Sequence, residues 1–319
     1  MRSLRSALLF PLFAGCIHAV SASAQYPAQP IRMLVPIPPG GGPDVVARVV
    51  GQRLSELLRQ PVVIENRAGS NGVIATEATA RAAPDGYTLM LGPEGMAAIN
   101  PHLYPRMVNP LKELTAVATV FRSHFIMAVN ASLPVKTLPE FVEFARKANP
   151  PLSYASGGNG SQHQLIMEML KSRAAIELMH VPYKGGSPAT TAAVAGEVAV
   201  LFAGASILTQ VKSGKLRALA VSGERRTSAF DLPALGEFYP GAGINPWAGV
   251  YAPAATPRAI ITRLNMEVNR VLAEPATTQK FEGIGVEPFI STPEEMAALL
   301  QAQHAMYGKI IRDVGVKLD

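Results

Sequence analysis

The residues best placed to do chemistry are Pro36-Ile-Pro-Pro-Gly-Gly-Gly-Pro-Asp44, a glycine-rich turn between an apolar run and an amphipathic one. Ahead of it, residues 31–35 read as a buried parallel strand. Behind it, Val45, Val46, Val49, Val50, Leu54, Leu57 and Leu58 recur at helical spacing and predict a helix over 44–58. Pro43 suits the first helical position and Asp44 the first turn. Such a junction leaves backbone N–H groups without intrahelical acceptors, and glycine lets a ligand approach with no Cβ in the way. An anion would sit well there. A turn that merely needs glycine would carry the same letters, so a second copy matters. Ser156-Gly-Gly-Asn-Gly160 supplies it, between a predicted strand over 152–155 and a predicted helix over 161–172.

Around these two loops, strand and helix alternate along most of the chain. Strands are predicted over 61–65, 87–91, 117–121, 125–130, 176–181, 198–202, 216–221 and 249–252. Helices are predicted over 71–82, from Thr137 to about 148, from Ser187-Pro188 to Gly196, over 204–213, from Thr256-Pro257 to about 273, and from Thr292 onward. Alternation of this kind builds doubly wound, mostly parallel sheets with helices on both faces. In open α/β sheets ligands lie beyond the carboxyl ends of the strands, where both glycine loops fall. Two lobes facing each other there would clamp a small molecule with two acidic ends.

Composition narrows the classes. The 319 residues are 48% hydrophobic and 16% charged, which permits a sizeable core and argues against disorder. Arg2 and Arg5, the apolar stretch 7–19 and Ala22-Ser-Ala24 make residues 1–24 a signal peptide, so an exported chain starting at Gln25 is expected. Loss of the two arginines lowers the net charge from +6 to +4, and the remaining basic residues are scattered rather than striped. No nucleic-acid partner is expected. Cys16 is the only cysteine and lies in the leader, leaving no thiol or disulfide chemistry in the mature chain. A lipoprotein site at Phe13-Ala-Gly-Cys16 is the alternative, but Phe13 fits it poorly.

Other motifs stay open. The loop at Gly157 lacks GxGxxG spacing, and neither GxxxxGK[ST] nor GxSxG occurs. The mature histidines are not at metal-ligand spacing, and no metal or cofactor is expected. His163 reads equally as a ligand donor or a partner of a loop carbonyl. Asp44 reads as a dipole complement or a ligand contact. Glu94, after the third predicted strand, would repel an anion unless it turns away or meets a hydroxyl or cation. Trp247 reads as core, and Lys184 as an attractive charge or a solvated turn residue. An enzyme would need a nucleophile and base, and only Ser161 with His163 offers them, so no catalytic residue is assigned.

Several segments resemble the periplasmic solute receptors of the tripartite tricarboxylate transporter family, also called Bug receptors. They are Gln25-Tyr-Pro-Ala-Gln-Pro-Ile-Arg32, Val35-Pro-Ile-Pro-Pro-Gly-Gly41, Glu65-Asn-Arg67 and Pro84-Asp-Gly-Tyr-Thr-Leu89. Ala98-Ile-Asn-Pro101, Tyr154-Ala-Ser-Gly-Gly-Asn-Gly160, His180-Val-Pro-Tyr-Lys-Gly185 and Gly214-Lys-Leu-Arg-Ala-Leu-Ala-Val221 follow in order. The resemblance covers 25–319. It implies a two-lobed type II periplasmic binding fold, with one lobe from 25–124 and 247–319 and the other from 125–246. It implies a monomer that captures a small organic carboxylate and passes it to a membrane transporter. A receptor feeding a two-component sensor, or a hydrolase or transferase acting on a carboxylate, are the alternatives. On matching positions the pocket falls on Pro38, Gly40, Gly41, Gly42 and Asp44, and on Ser156, Gly158, Asn159, Gly160, Ser161 and His163. Three departures from the family pattern stand out: Ile37 for an aromatic, Glu94 for a small or hydroxyl residue, and Ala203-Gly204 for an acidic-polar pair. Ligand contacts are accordingly expected at Glu94, Ala203 and Gly204 as well. N-terminal sequencing of the exported protein should begin at Gln25; a lipidated Cys16 would show an anchored protein instead.

Overall fold

The computed structural model describes residues 26–316 apart from Ser228, so the expected leader, its cleavage site and Cys16 lie outside the described residues. Eleven strands form two sheets among the described residues. The first takes β1 (Ile31–Val35), β2 (Val62–Asn66), β3 (Thr88–Pro93), β4 (Leu114–Ser123), β10 (Trp247–Pro253) and β11 (Val286–Pro288), ordered β11-β4-β10-β3-β1-β2. The second takes β5 (Ile126–Asn130), β6 (Leu152–Ser156), β7 (Leu178–Pro182), β8 (Val200–Ala203) and β9 (Leu216–Val221), ordered β7-β6-β8-β5-β9.

The α/β architecture on two helix-flanked sheets is the expected one, but the sheets are mixed rather than mostly parallel. β1 runs parallel to β2 and β3, and β6 runs parallel to β7 and β8. The remaining pairings, β10 with β3 and β4, β11 with β4, and β5 with β8 and β9, are antiparallel. The reason lies in the chain path. A βα crossover forces parallel pairing, whereas strands that leave one sheet for the other, or return from it, are free of that constraint. β4 leads out of the first sheet into β5, and β10 returns to lie between β3 and β4.

Local chemistry sets the main helices. The Gly42–Leu58 helix starts with Pro at an early position and buries Val46, Ala47, Val50, Leu54 and Leu58. The Pro293–Val314 helix opens with a capping box, Thr292 accepting from the Glu295 N–H and Glu295 accepting from the Thr292 N–H. That long helix packs on β4 and also on the Gln162–Ala174 helix beside the second sheet. One apolar cluster therefore runs through Met90, Trp247, Tyr307 and Ile311 into Leu165, Leu170 and Phe141. Short elements escaped sequence reading: the one-turn helices Gly95–Ala98, Asn100–Leu103 and Pro110–Glu113, the helix Pro275–Glu282 and β11. Elements of one or two turns show no period to read.

Asn265 ties the returning segment to the first sheet, its amide donating to Val117 O at 2.8 Å and Ser291 O at 2.9 Å while only 8% exposed. Asn265→Ala should cost about 1–3 kcal/mol by orphaning the Val117 carbonyl. Denaturant unfolding measures it.

Candidate functional site

The first glycine loop follows β1. Gly41 stands before the helix in extended conformation, with no side-chain cap. Its first-turn donors are not all free. The Gly40 N–H donates to Asp44 Oδ2 at 2.8 Å, and the Gly41 N–H points at Pro38 O at 3.5 Å. Pro43 has no N–H. What remains for a ligand is the Gly42 N–H, which sits at the first helical position and has no intrahelical acceptor. Pro38, Gly40 and Gly42 are exposed, and a Cβ on Gly40 or Gly42 would meet nothing within 4 Å. Gly41 differs, because a Cβ there would lie 2.6 Å from Ile37 Cδ1. Ile37 thus folds over the loop.

Asp44 holds this loop instead of facing outward. It is 2% exposed. Its Oδ2 accepts from Gly40 N–H and Arg48 Nε, and its Oδ1 from Arg48 Nη2 at 3.0 Å and Asn66 Nδ2 at 2.8 Å. Burial works against the ionised carboxylate, but the Arg48, Gly40 and Asn66 hydrogen bonds outweigh it and hold the acid below its ordinary range. With both oxygens in use, Asp44 is a loop anchor.

The second glycine loop follows β6 and is wired from inside its own lobe. Ser156 Oγ contacts His180 Nε2 at 2.6 Å, accepts from the Gly158 N–H and donates to Gly158 O, each at 3.1 Å. Gln164 Nε2 lies 3.2 Å from His180 Nδ1, while Gln164 Oε1 accepts from the Gly160 N–H at 2.7 Å. A neutral His180 protonated on Nε2 serves these contacts together. Ser161 caps the following helix, its hydroxyl accepting from the Gln164 N–H at 3.4 Å. The Gln162 and His163 N–H groups, at the first two helical positions, have no intrahelical acceptors. Gly160 has φ +74°, a conformation that glycine adopts without strain.

His163 is half-buried, between Gly157, Gly186 and the Phe125 ring, whose centroid lies 4.4 Å away. Its Nδ1 is sealed from solvent with no hydrogen-bond partner. Desolvation lowers its pKa to about 4, so the ring is neutral near pH 7. A third helix start abuts this loop. Gly185 donates to Gly157 O at 3.2 Å and precedes the Gly186–Ala195 helix, again without a side-chain cap. At the end of β8, Ala203 is buried, whereas Gly204 just beyond it faces open space where a Cβ would meet nothing within 4 Å.

Glu94 departs most from expectation. It is 0% exposed, not open to a cleft. Its Oε1 accepts from Gln162 Nε2 and from the Tyr307 hydroxyl at 3.2 Å, and its Oε2 accepts from the Trp247 N–H at 3.2 Å. Desolvation raises its pKa to about 8 against those hydrogen bonds. Trp247 is buried core, as read, and donates from Nε1 to Gln303 Oε1. Lys184 is exposed.

Two hydrogen bonds tie the second glycine loop and its helix start to turns beside the first sheet: Gln162 to Glu94, and Asn71 Nδ2 to Gly160 O at 3.4 Å. Asn71 was missed by sequence reading, which ran a helix through it. Instead, Gly69, Ser70, Asn71 and Gly72 all have positive φ, and the helix begins at Val73. Ser70 and Asn71 are strained there. Asn100 pins the turn by bonding Asn71 O at 2.9 Å and accepting from Asn71 Nδ2 at 2.9 Å. The run Gly69-Ser-Asn-Gly72, two glycines around two turn-formers, was the available signal.

Residues 46–316 match the model of the tripartite tricarboxylate transporter family receptor. The chain belongs to this family. Protein BugT of Bordetella pertussis is 35% identical over 315 residues, covering 97% of this chain and 96% of its own. Rpa4515 of R. palustris, solved with adipate, is 32% identical with a TM-score of 0.86, covering 92% of this chain and 99% of its own. MatC of Rhodopseudomonas palustris, solved with malate, is 28% identical with a TM-score of 0.80, covering 90% and 100%. The protein is therefore a two-lobed periplasmic solute-binding receptor and not an enzyme. Its serine–histidine pairs agree with that role. The Ser161 hydroxyl is spent on a helix cap, and Ser156, beside His180, is fully buried.

Asp44 yields a pH test with a definite sign. Its lowered folded pKa contributes stability above its ordinary value of 3.8, lost as pH falls through the folded value. Asp44→Asn should therefore lower the melting temperature at pH 7 and flatten its fall between about pH 5 and pH 2. Thermal melts across that range read both effects.

Proposed function

We propose that the receptor holds a small organic acid between residues 25–124 with 247–319 on one side and 125–246 on the other. The observation that carries this reading is the pair of glycine-loop helix starts, each beyond the carboxyl end of a parallel strand and each with unspent N–H groups. The sheet membership of the strands supports the two lobe ranges, and the adipate and malate of two related structures support a carboxylate. Pro38, Gly40, Gly41 and Gly42 line one end, with the Gly42 N–H as donor. Gly158, Asn159, Gly160, Ser161 and His163 line the other, with the Gln162 and His163 N–H groups as donors. Gly204 leaves room at the side. Asp44, Ser156 and Glu94 position these loops from beneath. The exported receptor acts alone, without cofactor, and passes its solute to the transporter's membrane subunits.

Magnitudes favour a ligand charged at both ends. A hydrogen bond to a charged group contributes roughly 1.5–3 kcal/mol, and three such donors supply on the order of 5–9 kcal/mol before ordering costs. Micromolar binding needs about 8 kcal/mol, so helix-end fields of about 0.3–2 kcal/mol each close the gap without an arginine. Neutral amides lose the charge assistance and should bind at least about tenfold more weakly.

Calorimetry against a panel of mono- and dicarboxylates and their amides tests this. Gly160→Val should weaken the bound acid at least about tenfold, because φ +74° strains any β-branched residue and twists the donor loop. Gly41→Val should weaken it too, through the clash with Ile37. Parent-like affinity in both variants would sink the two-ended clamp.

A further inference from the structure

Among the described residues Glu94 is the fully enclosed carboxylate where elements of the two sheets meet, and its enclosure is shared between them. Tyr307 and the Trp247 N–H come from the elements of the first sheet, but Gln162 comes from the helix start of the second glycine loop. The contact is close, since a Cβ on neighbouring Gly95 would lie 3.4 Å from Gln162 Cγ. Gln162 is also the residue whose backbone N–H heads the proposed ligand site. Side chain and main chain of one residue therefore link Glu94 to the ligand loop.

We infer that the Glu94–Gln162 contact is a proton-linked latch: closing the lobes seals Glu94 under Gln162 with uptake of a proton, so closure weakens as pH rises. The groups facing Glu94 are the Tyr307 hydroxyl, the Trp247 N–H, the Gln162 amide, the Glu94 and Gly95 backbone N–H groups and the Tyr251 hydroxyl, which is buried and has no hydrogen-bond partner among the described residues. Among the described residues no lysine, arginine or histidine is paired with Glu94. His304, on the same helix as Tyr307, is committed elsewhere, its Nδ1 against Ala98 O and its ring stacked on His102. An ionised Glu94 in the closed form is therefore a buried charge with hydrogen bonds but no counter-ion, which is costly. Gln162 suits either state, because its amide donates to a carboxylate and, turned over, accepts from a carboxylic acid.

The sign follows from linkage. Opening withdraws Gln162 and returns Glu94 toward water and its ordinary value of 4.5, against about 8 when sealed. The closed form thus binds the proton more tightly. The closing equilibrium should fall by nearly about tenfold per pH unit well inside those values, and about fiftyfold from pH 6 to pH 8, where the sealed acid is already half-titrated. The link from closure to capture rests on the carboxylate reading above; the latch itself does not.

Small-angle scattering of the full receptor without ligand, at pH 6, 7, 8 and 9, tests the latch directly. The parent's radius of gyration should rise with pH, while Glu94→Gln, which keeps shape and hydrogen bonding but cannot ionise, should stay flat. Gln162→Ala should be more open at pH 6 and less sensitive to pH. A flat parent, or a Glu94→Gln or Gln162→Ala profile parallel to the parent's, would overturn the latch. Calorimetry with adipate and malate at pH 7, in buffers of different ionisation enthalpy, adds a second readout. The parent should take up close to one proton per acid bound and Glu94→Gln none; equal uptake in both would also overturn it. Failure of either acid to bind would count against the carboxylate reading alone, since the scattering result does not need them.

Discussion

A helix start carries N–H groups that its own helix cannot satisfy, and this receptor is organised around which of them are spent internally. In the first loop Asp44 takes the Gly40 N–H and is itself held by Arg48 and Asn66. In the second, Gln164 takes the Gly160 N–H and the Ser156 hydroxyl takes that of Gly158, with His180 behind both. The side chains stiffen each loop by consuming its outer donors. The first helical N–H groups, at Gly42, Gln162 and His163, are left over. Loops held in this way need little further ordering on binding, which suits the ligand site proposed above.

The chain path explains how the two sheets come to be joined. The β4-to-β5 step and the return into β10 cross between sheets, which is why those strands pair antiparallel. The Pro293–Val314 helix then packs against elements of both sheets. Contact between the second glycine loop and the turns of the first sheet is light: Asn71 to Gly160 and Gln162 to Glu94. The strained turn through Ser70 and Asn71 presents one of these bonds, and two hydrogen bonds with buried Asn100 hold it.

Burial gives the two acids near the loops opposite characters. Asp44 meets a guanidinium and stays ionised, whereas Glu94 meets only neutral donors and is pushed upward. Nothing in their immediate sequence separates them, since each follows a strand in a glycine-containing turn. Distance along the chain hides the difference, because Tyr307 and Trp247 lie more than 150 residues from Glu94.

The sequence by itself determined the elements with a period long enough to read and the turns with mandatory chemistry. β9 is found over 216–221 as read, the first long helix starts at the Gly-Gly-Pro-Asp turn, and the last opens at the Thr292 box. Local sterics and capping decide these features, and both are written in neighbouring residues. The ordered run of family-like motifs was likewise legible. Tertiary structure alone decided strand direction, because pairing depends on where the chain returns from. It alone decided that Asn71 lies in a left-handed turn and not a helix, since Asn100 and Gly160 supply its partners. And it alone decided that Asp44 and Glu94 are buried beneath their turns, because a carboxylate's exposure and charge depend on what the rest of the chain packs over it.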